Sequence, residues 1–290
     1  FYATFTDKQI IDPHTQSGVL LAISQSSRAE VDAITEAAIA AGGREAHPPD
    51  GGDAPRAVRA GGHRLGPMIT VHHLNESRSQ RILWLLEELE LPYEVRRYAR
   101  NKATMLAPPE LKKIHPLGKS PVVVDGEHVL AESGAILEYL VERYDTARRF
   151  APSPGTAEHL RYRYWLHYAE GSAMPPMLLS LVFSRLKKAP MPFFARPIAR
   201  GIADKAMRTF VGPQVQLHLG YMESELGKVP WFAGDLFSAA DIQMSFPVEA
   251  AAVRAGLEAY PNLAGFLQRI HARPAYQRAL EQGGPFDLLG

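Results

Sequence analysis

Between residues 69 and 98 the side-chain period changes twice, and this limits the possible folds more than any other feature. ITVHHL (69–74) is a short apolar run of strand length. Residues 79–90 put Ile82, Leu83, Leu85, Leu86 and Leu89 on one broad helical face, and YEVRRY (93–98) alternates as a second strand. Two short strands joined through a helix form a βαβ unit, with parallel pairing and a right-handed crossover. Further on, 107–115 reads as a short helix. The runs 121–124 and 128–131 flank Asp125-Gly126, the signal of a type I′ hairpin. Residues 133–144 carry Ile136, Leu137, Leu140, Val141 and Tyr144 at helical spacing. The order βαβ, α, ββ, α predicts a four-stranded mixed sheet with helices on its faces.

Strand patterns stop after Tyr144. Long helices are predicted over 156–186, with a kink at Pro175-Pro176, and over 198–226; two more cover 239–256 and 263–271. One of these has an explicit start. In FSAADI (237–242) Ser238 is the N-cap, Asp241 at N3 can reach back to its N–H, and Phe237 and Ile242 occupy the staple positions. Ser77 and Gln80 form the same Ser-x-x-polar pattern near the head of the first helix. The expected architecture is an α/β thioredoxin-like domain (68–147) followed by an all-α domain (148–290).

Upstream the composition changes. Nine of the 24 residues from Arg44 to Pro67 are Gly or Pro, which reads as a linker. Residues 18–24 read as a buried strand and 28–41 as a helix, too little to bury both apolar faces. Residues 1–43 are therefore expected to be a partial domain. Met68 follows the linker directly and is the expected natural start of the functional part; no secretory leader is legible.

Composition removes whole classes of chemistry. With no cysteine, the chain has no disulfide, no thiolate metal site, no Cys nucleophile and no CxxC couple. The formal charge of +1 argues against a dedicated nucleic-acid binder. No run reaches the ~20 apolar residues of a membrane span. His72 and His73 alternate on a strand, point to opposite faces and make no metal pair; no metal is expected.

Three segments together carry a resemblance: HLNESRSQRI (73–82), HPLGKSPV (115–122) and LAESGAI (130–136). With the capped helix at Ser238–Asp241, residues 68–290 resemble a bacterial or fungal serine-type glutathione S-transferase. Residues 1–43 resemble a truncated glyoxalase-like (vicinal oxygen chelate) half-module without its metal-binding strands. The transferase resemblance implies glutathione as co-substrate, a small hydrophobic electrophile, a homodimer, a cytoplasmic location and a role in detoxification, with no nucleic-acid or membrane partner. It implies Ser77 as the thiol-activating hydroxyl, with Asn75, Arg78 and Ser79 as alternatives. Ser120-Pro121 becomes a cis peptide beside the cysteinyl backbone of glutathione. Glu132 and Ser133 take the γ-glutamyl end, and Lys119 the glycyl carboxylate. Tyr168 and Met174 head the candidates for the electrophile pocket, ahead of Tyr164, Trp165 and Met177, with Phe193 and Phe194 in the Pro-rich connection.

The magnitudes allow a single hydroxyl to suffice. Lowering a thiol by ~2 units from its ordinary ~8.5 requires about 2.7 kcal/mol. One hydrogen bond to a charged partner supplies roughly 1.5–3 kcal/mol. Two other readings stay open: a non-catalytic glutathione or hydrophobic-ligand binder, and a glutathione-dependent peroxidase or reductase. The basic residues between Arg185 and Arg208 read as a solvated face.

Overall fold

The computed structural model describes residues 68–101, 104–284, 286 and 288. The readings for 1–67, the glyoxalase-like fragment and the linker, lie outside the described residues. The first half is the predicted sheet. Strand β1 (Ile69–Leu74) pairs parallel with β2 (Tyr93–Tyr98) and antiparallel with β3 (Val122–Asp125), which pairs with β4 (His128–Ala131). The order is β2-β1-β3-β4. The apolar run of β1 thus becomes an interior strand, and the more polar YEVRRY an edge. Helix α1 (Gln80–Glu88) makes the crossover and α2 (Ser133–Tyr144) follows β4. Ser120-Pro121 is cis, as expected. The Ser120 hydroxyl donates to the His72 carbonyl at 2.9 Å and accepts the Leu74 N–H at 3.2 Å. It thus prolongs the β1–β3 pairing past a proline that has no N–H to offer.

The second half is helical. It contains α3 (Ala157–Tyr168), α4 (Met174–Lys188), α5 (Arg196–Ala206), α6 (Gly212–Leu226), α7 (Ala239–Arg254), α8 (Pro261–His271) and α9 (Pro274–Gly283). A single apolar core runs through both halves. Trp84 of α1 meets Tyr276 of α9 edge-on at 5.1 Å and Phe237 at 5.6 Å. The Ser238–Asp241 box forms: Asp241 accepts the Ser238 and Phe232 N–H groups, each at 2.8 Å.

Several local readings are corrected. The expected kink lies one turn earlier than Pro175-Pro176, as a π-helical turn at Ala169–Ala173, and both prolines fit the first turn of α4. A second π turn, Met207–Val211, divides the helix predicted over 198–226. The helix predicted over 107–115 is a 3₁₀ turn, Pro109–Lys113. The hairpin is not type I′. Asp125 pairs with His128, so Gly126 and Glu127 are the loop residues, and only Gly126 has positive φ, as in a type II′ turn. Asp125 is held in the strand because its Oδ2 accepts the hydroxyls of Tyr139 (2.8 Å) and Tyr144 (2.5 Å).

Candidate active site

The loop between β1 and α1 brings three elements together. Asn75 stays at the end of the β1–β2 pairing, its N–H donating to Tyr98 O at 3.0 Å. The Arg100 guanidinium clamps the turn by donating to the carbonyls of Asn75, Glu76 and Met105. Asn75 Oδ1 accepts the Arg100 N–H at 2.8 Å. Glu76 adopts φ 50°, which turns the chain into α1.

Ser77 follows, and it does not cap the helix. The N-cap is Ser79, without a side-chain cap bond, and both polar atoms of the Gln80 amide are buried without a partner among the described residues. The Ser77-x-x-Gln80 capping box therefore does not form. Instead Ser77 Oγ accepts the Ser79 N–H at 3.2 Å and lies 2.7 Å from Ser79 Oγ, which lies 2.9 Å from His73 Nδ1. This chain of three is buried throughout, with Ser79 and His73 behind Ser77. Burial first and the nearby Arg97 charge second push His73 down to about 4, against the opposing effect of a hydrogen bond with the Gly283 backbone. The ring is neutral at ordinary pH. A side chain at Gly283 would put its Cβ 2.5 Å from Gln80 Oε1 and 3.2 Å from the His73 ring, so the end of α9 closes this chain by having none.

The start of α2 lies next to a cross-domain network that sequence reasoning missed. Glu170, on the π turn, accepts two bonds from Arg78 Nε (2.8 and 2.9 Å) and one from Arg81 (2.6 Å). Arg81, only 1% exposed, also donates to Gln243 Oε1 at 2.5 Å and to Ser133 Oγ at 3.4 Å. Burial pulls Arg81 down to about 10, so it stays charged at neutral pH. For Glu170 burial acts upward, but Arg81 and Arg78 overcome it and hold the carboxyl below its ordinary value. Both guanidiniums stack on Phe246, at 4.8 and 4.9 Å. No local signal links residues about 90 and 160 positions apart; only the unusual Arg on the buried stripe of α1 hinted at a partner.

The remaining predicted residues divide clearly. Ser133 is buried and starts α2, while Glu132, exposed, is its N-cap at φ 70°. Lys119 is exposed beside Ser120-Pro121, and the Ser120 N–H and C=O have no partner among the described residues. Tyr168 and Met174 are both buried in the apolar core. Tyr168 packs against Trp165 and Tyr221, and its hydroxyl meets His218 Nδ1 at 2.5 Å. Aromatic side chains at helical spacing here serve the contact between α3 and α6. His72 and His73 have separate partners, with His72 Nδ1 2.8 Å from the Tyr98 hydroxyl.

A thioredoxin-type sheet with a cis-proline at the head of β3, sharing its core with an all-helical domain, is a two-domain architecture of the thioredoxin-fold class. Residues 66–142 match the family "Glutathione S-transferase, N-terminal domain", and residues 185–274 match "Glutathione S-transferase, C-terminal domain". Glutathione S-transferase 1 of Saccharomyces cerevisiae is 38% identical over 226 residues, covering 74% of this chain and 95% of the relative. Glutathione S-transferase 3 of Schizosaccharomyces pombe is 40% identical over 217 residues, covering 74% and 88%. Among solved structures, a glutathione S-transferase from Actinobacillus pleuropneumoniae shares 36% identity with a TM-score of 0.63, covering 76% of this chain and 94% of its own. The chain belongs to the glutathione S-transferase family and is an enzyme of that kind.

Proposed function

We propose that the chain conjugates glutathione to small hydrophobic electrophiles and that Ser77 ionises the thiol. One observation carries this reading: Ser77 is the outermost member of a buried hydroxyl chain and is not spent on capping its helix. The bound thiol lies against Ser77 Oγ. Its proton leaves to solvent, the Ser77 O–H turns from Ser79 to the sulfur, and that single charge-assisted bond supplies the ~2–3 kcal/mol the ionisation requires. Ser77 keeps the Ser79 N–H as donor, so the hydroxyl oxygen stays fixed while its proton reorients. Ser79 is fully buried and Asn75 Oδ1 is taken by Arg100, which leaves both alternatives weaker than Ser77.

The tripeptide is bound along one line. The Ser120 N–H and C=O beside Pro121 pair with its cysteinyl backbone as an added strand. The N–H groups opening α2 receive the γ-glutamyl carboxylate, and Glu132 its ammonium. The Ser133 hydroxyl already faces Arg81 and Gln243, so its contribution is to fix the head of α2. Lys119 attracts the glycyl carboxylate as a point charge. The Arg78–Glu170–Arg81 network holds the β1–α1 turn against the helical domain, where the electrophile binds. We further infer a cytoplasmic homodimer acting in detoxification, supported by the family alone; the glyoxalase-like likeness of residues 1–43 contributes no chemistry to it.

Retention on immobilised glutathione, with turnover of a chloronitroaromatic that Ser77→Ala reduces about a hundredfold in kcat, supports the reading. Retention without turnover favours the non-catalytic binder. Turnover of peroxides or disulfides but of no chloronitroaromatic favours the peroxidase or reductase.

A further inference from the structure

Two arginines of the helical half converge on the β1–α1 turn without an anion of their own. Arg185 lies in the last turn of α4 and Arg254 ends α7, two helices that pack against each other. About two turns before Arg254, α7 carries Phe246, and the guanidinium of Arg78, the residue after Ser77, lies over that ring at 4.8 Å. Burial first, then the charges of Arg185 and Arg78, hold Arg254 below its ordinary value. Arg100, which clamps the same turn, is lowered by burial, raised by Glu76 and lowered again by Arg78 and Arg185. The four guanidiniums therefore act on one another around the turn that holds Ser77.

The carboxylates nearby are already engaged. Glu170 is bound to Arg78 and Arg81, and Glu76 faces Arg100. Neither Arg185 nor Arg254 donates to a carboxylate among the described residues, and Arg254 Nε is buried without a partner there. A helix C-terminus favours a cation, which accounts for one arginine at each helix end. It does not account for their convergence, because mutual repulsion and an unsatisfied buried donor both destabilise the free protein. Glutathione does not supply the missing charge either: in the reading above its γ-glutamyl carboxylate goes to α2 and its glycyl carboxylate to Lys119. What remains is the second substrate.

Resting on that transferase reading and narrowing it, we propose that Arg185 and Arg254 form an anion site beside the thiol, and that the electrophile carries a carboxylate. A guanidinium fork matches the two oxygens of a carboxylate, and pairing satisfies the buried Nε and relieves the repulsion. An uncharged analogue leaves both arginines unpaired, so the site selects by charge. The expectation that Arg185 belongs to a merely solvated face gives way to this reading.

Calorimetric titration of the full chain saturated with S-methylglutathione, which cannot react, tests the site with 3-nitrobenzoate against its methyl ester. The carboxylate should bind at least about tenfold tighter than the ester, the size of a hydrogen bond to a charged group. That advantage should shrink when salt rises from about 0.1 M to about 0.5 M. Arg254→Gln and Arg185→Gln should each lower the carboxylate-to-ester ratio about fivefold or more; Arg185, exposed, serves alone if the Arg254 variant unfolds. Arg196→Gln, beyond the end of α4, should leave the ratio as it is. In turnover, the thiolate forms a C–S bond with the ring carbon of 4-chloro-3-nitrobenzoate as chloride leaves with the bonding pair of the C–Cl bond. Divided by the uncatalysed rates, kcat/KM should favour the acid over its methyl ester by a similar factor. No preference for the carboxylate in binding or in turnover, a preference that survives both arginine variants, or an equal loss in Arg196→Gln overturns the inference alone. Failure of S-methylglutathione to bind overturns the transferase reading and the inference with it.

Discussion

Two serines open helices in similar sequence contexts and do opposite things. Ser238 is followed three residues later by Asp241, and the pair closes a reciprocal box in which the carboxylate holds the Ser238 and Phe232 N–H groups. Ser77 is followed three residues later by Gln80, and no box forms; Gln80 turns inward toward Gly283, and Ser77 bonds to Ser79 instead. A hydroxyl that closes a helix end contributes to stability and has nothing left to offer. One that leaves its helix to another residue can serve a substrate. The Ser238 site should therefore govern folding and the Ser77 site turnover, and substitutions at each can separate the two.

The largest effect is expected at Asp241→Ala. It strands two buried N–H donors and removes charge-assisted bonds, which costs about 3–5 kcal/mol of unfolding free energy by denaturant titration. Turnover per folded molecule should hardly change. A comparable loss of kcat at intact stability would break the division of labour between the two serines.

Buried titratable groups at the two sites give opposite pH signatures. His73 titrates at about 4 when folded against 6.5 as a free side chain. As pH falls from 6.5 toward 4 the unfolded chain takes up a proton that the native ring refuses, so about 3 kcal/mol of stability is lost across that window. Burial pushes Asp241 up to about 6 from 3.8, opposed by its hydrogen bonds; there the native state takes the proton first and stability is gained between pH 6 and 3.8. His73→Asn should cancel the first slope and leave the second. If unfolding free energies of the wild type and His73→Asn keep a constant difference from pH 7 to 4, the ring is not held neutral by burial.

Ser77→Ala comes next, at about a hundredfold in kcat, or roughly 2.7 kcal/mol. The ultraviolet thiolate band of bound glutathione should then titrate about two units higher. The dissociation constant of glutathione should stay within about threefold, while the unfolding free energy should fall by only about 1–2 kcal/mol, because the one buried donor left without its acceptor is the Ser79 N–H. An unchanged thiolate titration would move activation away from this hydroxyl.

How much of this could be read along the chain depends on how local each cause is. The sheet and most helices follow from periods of two and 3.6 residues, and Ser238-x-x-Asp241 states its own role. The hairpin type was misjudged because two tyrosine hydroxyls fourteen and nineteen residues away hold Asp125 in the strand. Helix α9 escapes a reading by large apolar residues because small ones, Ala275, Ala279 and Gly283, make up most of its buried face beside Tyr276. Ser77 could be singled out, but not its freedom from capping duty, which depends on Gly283 and His73. Glu170 and Gln243 left no trace, since ion pairs across domains have no sequence period.

The smallest effect is the most discriminating for the α2 side of the site. Glu132 occupies φ 70°, a region that costs a non-glycine residue roughly 1 kcal/mol or more. Ser238, opening α7, has ordinary extended backbone at φ −145°. Strain at one helix start and none at the other is the same contrast once more, between an end shaped for a ligand and an end shaped for the fold. Glu132→Gly relieves the strain but lets the unfolded chain gain freedom, so a net stabilisation of about 0.5–1 kcal/mol is expected, roughly 2–3 °C in Tm. Removing the carboxylate should at the same time raise the KM for glutathione several-fold with kcat nearly unchanged, the signature of lost uniform binding. Glu132→Gln, which keeps the shape and the strain, should raise KM without raising Tm. If glycine instead lowers Tm, the conformation at Glu132 is one that the start of α2 requires for its own stability, and the two helix starts are less different than their backbones suggest.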